Sequence, residues 1–148
     1  MQNLILMSVI RVATILCILS LANQSCAAEQ ILVCPSKIDA SHVKLTYAED
    51  GWTPFVESHL RLTSVSFMDG PPEKIGHLKP LTTSKYKKND SDTFTFEGNF
   101  PNGKWLSCLY DGTQISLSKK IDDALRVCVV TQFKEKKYGR NSFEINCK

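Results

Sequence analysis

Apolar residues recur at every second position over much of the chain, and the three-to-four spacing of helices is scarce. Residues 93–97 alternate cleanly, which sets Phe94 and Phe96 on one face of a strand. Residues 60–68 also read as a strand, but the pattern changes phase. Leu60 and Leu62 share one face, whereas Val65 and Phe67 share the other. A β-bulge near Thr63 and Ser64, or burial on both faces, reconciles the two halves. Residues 30–33 form a further strand that Pro35 ends or marks as an edge. Residues 42–48 are a weaker strand candidate.

Two hairpins follow from turn chemistry. Asp111-Gly112 joins residues 104–110 to residues 113–119, because a tight primed turn needs positive φ at both central positions. A two-residue turn sets Tyr110 opposite Thr113 and Cys108 opposite Ile115, so Cys108 finds no cysteine within its own hairpin. Residues 125–134 and 140–148 flank the polar stretch 135–139. With that loop centred between Lys137 and Tyr138, Cys128 falls opposite Cys147, Val130 opposite Ile145, and Gln132 opposite Phe143. One face then carries both cysteines together with Val130, Ile145 and Phe143, as a buried face should.

Two segments interrupt the strands. Residues 69–73 must turn, since Pro71 and Pro72 cannot continue a ladder and Gly70 is conformationally free. Residues 81–91 are polar and read as an exposed loop. Residues 73–77 and 118–125 have room for one helical turn each. No internal repeat or linker divides the chain. The fold expected is all-β, a small antiparallel sandwich or partly open barrel of about seven strands, with at most one or two short helical turns.

The N-terminus differs in kind. Arg11, the apolar run 12–22 and small residues ending at Ala28 describe a secretory signal peptide. The run is too short for a membrane span, which takes about 20 residues. Cleavage after Ala28 leaves residues 29–148 as one domain with no membrane span. Cleavage after Ala27, a lipoprotein anchored through Cys26, and translation from Met7 are the rival readings. The expected location is the periplasm. Without Arg11 the chain keeps 17 basic and 15 acidic residues, too even a balance for a nucleic-acid surface.

Export simplifies the cysteines. Cys17 and Cys26 leave with the signal; Cys34, Cys108, Cys128 and Cys147 remain, an even number that implies two disulfides. Their wide spacing lacks the close pairs of a zinc site. Directly opposed strand residues lie at disulfide distance, so the pairs expected are Cys128–Cys147 and, by elimination, Cys34–Cys108.

The order of these features resembles a known family. Cys34-Pro35, Gly51-Trp52, the segment 67–73 with Asp69-Gly70-Pro71, Leu78 to Pro80, the Trp105-Leu-x-Cys108-x-Tyr110 strand, its return at 115–117, Cys128-Val129 and Cys147 resemble a family of small exported bacterial proteins catalogued under a Salmonella locus name. The resemblance implies a periplasmic location. By analogy with other small periplasmic proteins, it suggests an immunity protein or enzyme inhibitor.

Catalytic chemistry finds little footing. His42, His59 and His77 are the histidines of the chain, none in a His-Glu-x-x-His pattern, and there is no Gly-x-Ser-x-Gly. Glu49-Asp50 and Asp122-Asp123 read as turn or cap residues. With all four cysteines oxidised no thiol nucleophile is left, and no cofactor or metal is called for. A binding role fits better, the partner being another protein. Trp52, in turn-like sequence, is a candidate anchor, whereas Trp105 on a central strand reads as core. Lys85, Lys87 and Lys88 form one basic loop; Lys134, Lys136, Lys137 and Arg140, with Tyr138, form another. Either can be a plain solvated tip or can steer an acidic partner. Gly70, Pro71 and Pro72, and residues 135–139, are candidate plugs for a partner's cleft. The leading expectation is a non-enzymatic protein that masks a toxin or cell-wall hydrolase. A structural or envelope-stress protein is the alternative, and a hydrolase trails both. A Ser-Gly-x-x-Tyr inhibitory motif of the lysozyme-inhibitor kind is absent.

Overall fold

Alternation at residues 93–97 becomes the inner face of a strand that packs Phe94 and Phe96 against Phe67 of the facing sheet. Their rings meet edge-on, with centroids 5.0 and 5.3 Å from Phe67. This is a computed structural model, which describes residues 29–86, 88–112, 115–134 and 141–148. Nine strands run in chain order: β1 (Gln30–Leu32), β2 (Lys37–Ile38), β3 (Leu60–Asp69), β4 (Thr82–Lys85), β5 (Asn89–Thr95), β6 (Lys104–Tyr110), β7 (Ile115–Lys120), β8 (Val127–Lys134) and β9 (Asn141–Cys147). They form two antiparallel sheets, β1-β9-β8-β5-β4 and β2-β3-β6-β7, which face each other as a sandwich and do not close into a barrel. The described helical structure is two 3-10 turns, at Ala40–His42 and Pro72–Lys74.

The phase change in β3 is a bulge between Leu62 and Ser64. It turns Leu62, Val65 and Phe67 all toward the core, which a regular strand could not do. From the other sheet come Leu32, Phe94, Phe96, Val130 and Ile145, and Ile121 and Leu125 lie with them in one cluster. Two disulfides run through this core. Cys128 pairs with Cys147 within one sheet, where the β8–β9 register sets them opposite each other, with Val130 opposite Ile145. Cys34 pairs with Cys108 and ties the chain after β1 to the middle of β6, on the opposite sheet.

Four local expectations need correction. Among the described residues the strands number nine where about seven were expected, because β2 is too short and β4 too polar to leave a period. The stretch 81–91 is no irregular loop: β4 and the start of β5 make a hairpin there. Cross-strand polar pairs hold it, among them the Thr83 hydroxyl donating to Asp92 at 2.7 Å. Residues 42–48 form no strand beyond the 3-10 turn, and residues 118–125 continue β7 and then turn without a helix.

The fourth correction is the β6–β7 register. Tyr110 lies opposite Ile115 and Cys108 opposite Leu117, two residues beyond a tight turn. Asp111 and Gly112 do take positive φ, at 41° and 79°. However, Asp111 is held by β3, donating its N–H to the Arg61 carbonyl and accepting from the Arg61 N–H. That pull lengthens the connection. A shift of two preserves which face each side chain occupies, so Cys108 still points at the core.

Candidate functional site

Between the first 3-10 turn and β3 the chain makes a long excursion, residues 43–59, with no regular structure. Its feet are fixed. Asp39 caps the 3-10 turn, its carboxylate accepting from the Ser41 N–H and hydroxyl. These bonds, the backbone one foremost, hold its carboxyl below the ordinary value. Ile38 pairs with Leu60, Lys37 with Arg61, and the Leu62 N–H donates to the Ser36 carbonyl. The chain therefore leaves and returns at nearly the same place, as an Ω-type loop does. At the tip the Trp52 N–H donates to the Glu49 carbonyl at 2.9 Å. Gly51 supplies the positive φ of 83° that the third position of this turn requires.

What the loop carries is unusual for a solvated segment. Leu45 is 57% exposed, Tyr47 76%, Trp52 77% and Phe55 81%. Its two arms, Val43 to Leu45 and Pro54 to Val56, face each other across an open cleft of about 260 Å³. Trp52 is thus presented outward. Trp105 is only half-buried on the outer side of β6, where its indole N–H donates to the Asn102 carbonyl.

The topology places this loop at one particular end of the sandwich. The Tyr110 hydroxyl at the end of β6 donates to the Pro35 carbonyl at 2.8 Å, just past β1, so the β2–β3 end lies with the start of β9. The β4–β5 turn belongs there too, since the Lys134 N–H donates to the Lys88 carbonyl. Two basic tips that are 46 residues apart in sequence, as Lys88 and Lys134 are, therefore sit side by side. Lys85 and Lys88 are exposed, and Lys134 pairs with Asp90 at 2.6 Å. Lys87, Lys136, Lys137, Tyr138 and Arg140 lie outside the described residues, as do residues 1–28 with Ala28.

Gly70, Pro71 and Pro72 occupy the opposite end. Here Phe67 meets Phe94 and Phe96, and the connection is woven into its surroundings. The Gly70 N–H donates to Gly103, the Asp69 N–H to Gly76, and the Leu78 N–H to Phe67. The Lys74 ammonium reaches the Asn102 side chain at 3.0 Å. Beside it lies a feature that no sequence pattern announced. Lys104 is 2% exposed. Its ammonium donates to the Asp123 and Leu125 carbonyls at 2.7 and 2.6 Å and lies over the Phe96 and Phe100 rings. Burial, with Arg126 nearby, holds its pKa below the ordinary lysine value against the pull of Asp123 and Asp122. The group closes the base of the core, buried with both carbonyl partners.

The candidates thus divide. Trp52 shares an end with the basic tips; Gly70, Pro71 and Pro72 do not. Among the described residues no group of three or more His, Cys, Asp or Glu side chains is placed to hold a metal ion. No helix there is long and apolar enough to cross a membrane.

Neither a curated protein nor a solved structure matches the chain. One protein-family model does, described as the type VI secretion system Tli immunity protein, and it matches residues 57–148. That span holds β3 to β9 and three of the four paired cysteines, and it begins just after the cleft-bearing part of the loop. An immunity-type protein acts by binding a toxin, and a scaffold stapled by disulfides suits that task. With more than half of its length matched, the chain belongs to the type VI secretion system Tli immunity protein family.

Proposed function

We propose that this protein neutralises its toxin by masking it, with the toxin docked on the end of the sandwich that carries the Trp52 loop. The observation that carries the reading is the exposure of Leu45, Tyr47, Trp52 and Phe55, all more than half exposed on one loop with pinned feet. Exposed apolar groups in such number mark interaction surfaces. Tryptophan and tyrosine are the residues that most often dominate binding energy. The fixed feet and the Cys34–Cys108 bridge lower the ordering cost of binding. Lys85 and Lys88 add a basic rim that steers an acidic partner; Lys136, Lys137 and Tyr138 are proposed as further partner contacts.

The compartment follows the disulfides, which fit an oxidising environment. Residues 1–28 are proposed as a signal peptide cleaved after Ala28, with residues 29–148 as the periplasmic domain. A toxin active in that compartment, such as a cell-wall hydrolase, is then the partner. The resemblance to exported proteins of the Salmonella-locus family supports the same setting. Masking by contact calls for no cofactor and no catalytic residue.

The test begins with the oxidised domain immobilised and exposed to secreted and periplasmic protein, the retained toxin being identified by mass spectrometry. Trp52→Ala should weaken its binding at least about 30-fold, the loss of one hot-spot side chain. Lys136→Glu with Lys137→Glu should slow association, more so at low salt. Pro71→Ala with Pro72→Ala should leave affinity unchanged. The reverse result, binding lost at Pro71 and Pro72 and kept at Trp52, would move docking to the opposite end.

A further inference from the structure

Each sheet of the sandwich ends in edge strands, β1 and β4 in one and β2 and β7 in the other. An edge strand presents backbone N–H and C=O groups with no strand beside them, and most proteins keep such edges short. Here β1 has three residues, β2 two and β4 four, the last polar throughout. The six residues of β7 depart from that pattern, pairing with β6 in unbroken register with neither proline nor bulge. Leu117 lies opposite Cys108 and so belongs to the core side of the sheet, as does Ile115 two residues before it. They remain 44% and 37% exposed because, among the described residues, no strand follows β7. The phase of the free groups is set as well. The Ile121 N–H donates to the Lys104 carbonyl at 2.9 Å, and bonding alternates along an antiparallel pair. Ile115, Leu117 and Lys119 therefore turn their backbone groups to β6, and Ser116 and Ser118 turn theirs outward.

We infer that β7 pairs antiparallel with β7 of a second copy of this chain, across a two-fold axis at Leu117. The outward groups call for an extended backbone, as in strand addition to a sheet edge. The chain itself supplies a fitting one, because Ser116-Leu-Ser118 reads the same in both directions. Ser116 of each copy exchanges both backbone bonds with Ser118 of the other. Leu117 meets its own counterpart in the intervening non-bonded pair, where side chains come closest. Ile115 lies along the apolar stem of Lys119, so no two lysines are directly opposed. Lys120 is already neutralised by Asp123 at 3.3 Å. The two copies form one continuous sheet that covers the exposed sides of Ile115 and Leu117. Because the paired strands run in opposite directions, the two Trp52 ends point apart, and each stays free for its own toxin.

Sedimentation equilibrium of the oxidised domain over rising concentration tests the pairing. The contact is small, so a dimer with a dissociation constant of about 100 μM is expected. Ser116→Pro removes an outward N–H and no bond to β6. It should weaken the dimer at least about tenfold with an unchanged thermal midpoint. Leu117→Lys sets like charges directly opposite each other and should do the same. An equimolar mixture of Leu117→Lys and Leu117→Glu should recover the dimer that neither forms alone. A domain that stays monomeric up to about 1 mM overturns the inference. So does a dimer that survives either Ser116→Pro or Leu117→Lys, or a mixture that stays monomeric. A monomeric domain whose toxin binding is lost in Ser116→Pro would give the edge to a strand of the toxin and equally overturn it. The pairing is independent of the docking reading, and Trp52→Ala should leave the dimer intact while weakening the toxin.

Discussion

The two ends of the sandwich treat their connections in opposite ways. At the Phe67 end the connections are bonded internally and to one another: Asp69 to Gly76 within one, then Gly70 to Gly103, Lys74 to Asn102, and Lys104 to both Asp123 and Leu125. Phe96 and Phe100 pack there beneath the lysine, and Ile75 is the large apolar residue of the 69–78 connection left exposed. At the Trp52 end the long loop is held, among the described residues, at its feet and its tip turn, and Leu45, Tyr47, Trp52 and Phe55 face water. Residues spent on packing at one end are kept available at the other. Apolar surface left in water confers no stability, so its presence on a well-anchored loop points to use by a partner.

The bridge near the Trp52 end gives the largest effect. Replacing Cys34 and Cys108 by Ser opens a link across 74 residues. In the chain-entropy model it should lower unfolding free energy by about 4.5 kcal/mol, read from urea denaturation. The shorter Cys128–Cys147 link, across 19 residues, should be worth about 3 kcal/mol. Equal losses would show that loop length does not govern these bridges.

A pair of phenylalanines sharpens the contrast. Phe67 is fully buried and Phe55 is 81% exposed. Phe67→Ala should cost about 3–5 kcal/mol, and Phe55→Ala less than about 0.5 kcal/mol, with toxin affinity showing the opposite order. A large stability loss at Phe55 would mean that the loop belongs to the core after all. Lys104→Met should cost about 2 kcal/mol, because it strands two carbonyls at the closed end. A neutral result would reduce that lysine to a packing group.

The smallest effect is in pH. Burial raises the Tyr110 phenol above its ordinary value of 10.0, so the folded chain keeps a proton that the unfolded chain releases. Its contribution is full below about pH 10 and is lost as pH rises through the folded value. The thermal midpoint should fall there, and Tyr110→Phe should flatten that fall. An identical decline in Tyr110→Phe would assign it to other groups.

Legibility followed how strongly a pattern was tied to burial. The β8–β9 register was readable because one face had to carry Cys128, Val130, Ile145 and Cys147, and a slip of one residue would have exposed all four. The β3 bulge was readable from its change of phase. In contrast, β4 is exposed on both faces, so alternation carried no signal there. The β6–β7 connection was misjudged because Asp111 answers to Arg61, fifty residues away, and not to its own turn. Lys104 was passed over because its partners are carbonyls of a distant connection. At the candidate site Trp52 was singled out, but Leu45, Tyr47 and Phe55 were not, since without a helical or strand period nothing ordered them.

By itself, then, the sequence determined the all-β class, the strand faces and the register that sets Cys128 opposite Cys147, because each depends on local period. The tertiary structure alone decided which candidates share a surface. It brought Lys88 beside Lys134, sent Gly70, Pro71 and Pro72 to the far end, and opened a cleft between the arms of the Trp52 loop. Those outcomes depend on which strands pair and which sheet edges meet. They arise from contacts between residues far apart in the chain, on which no local pattern bears.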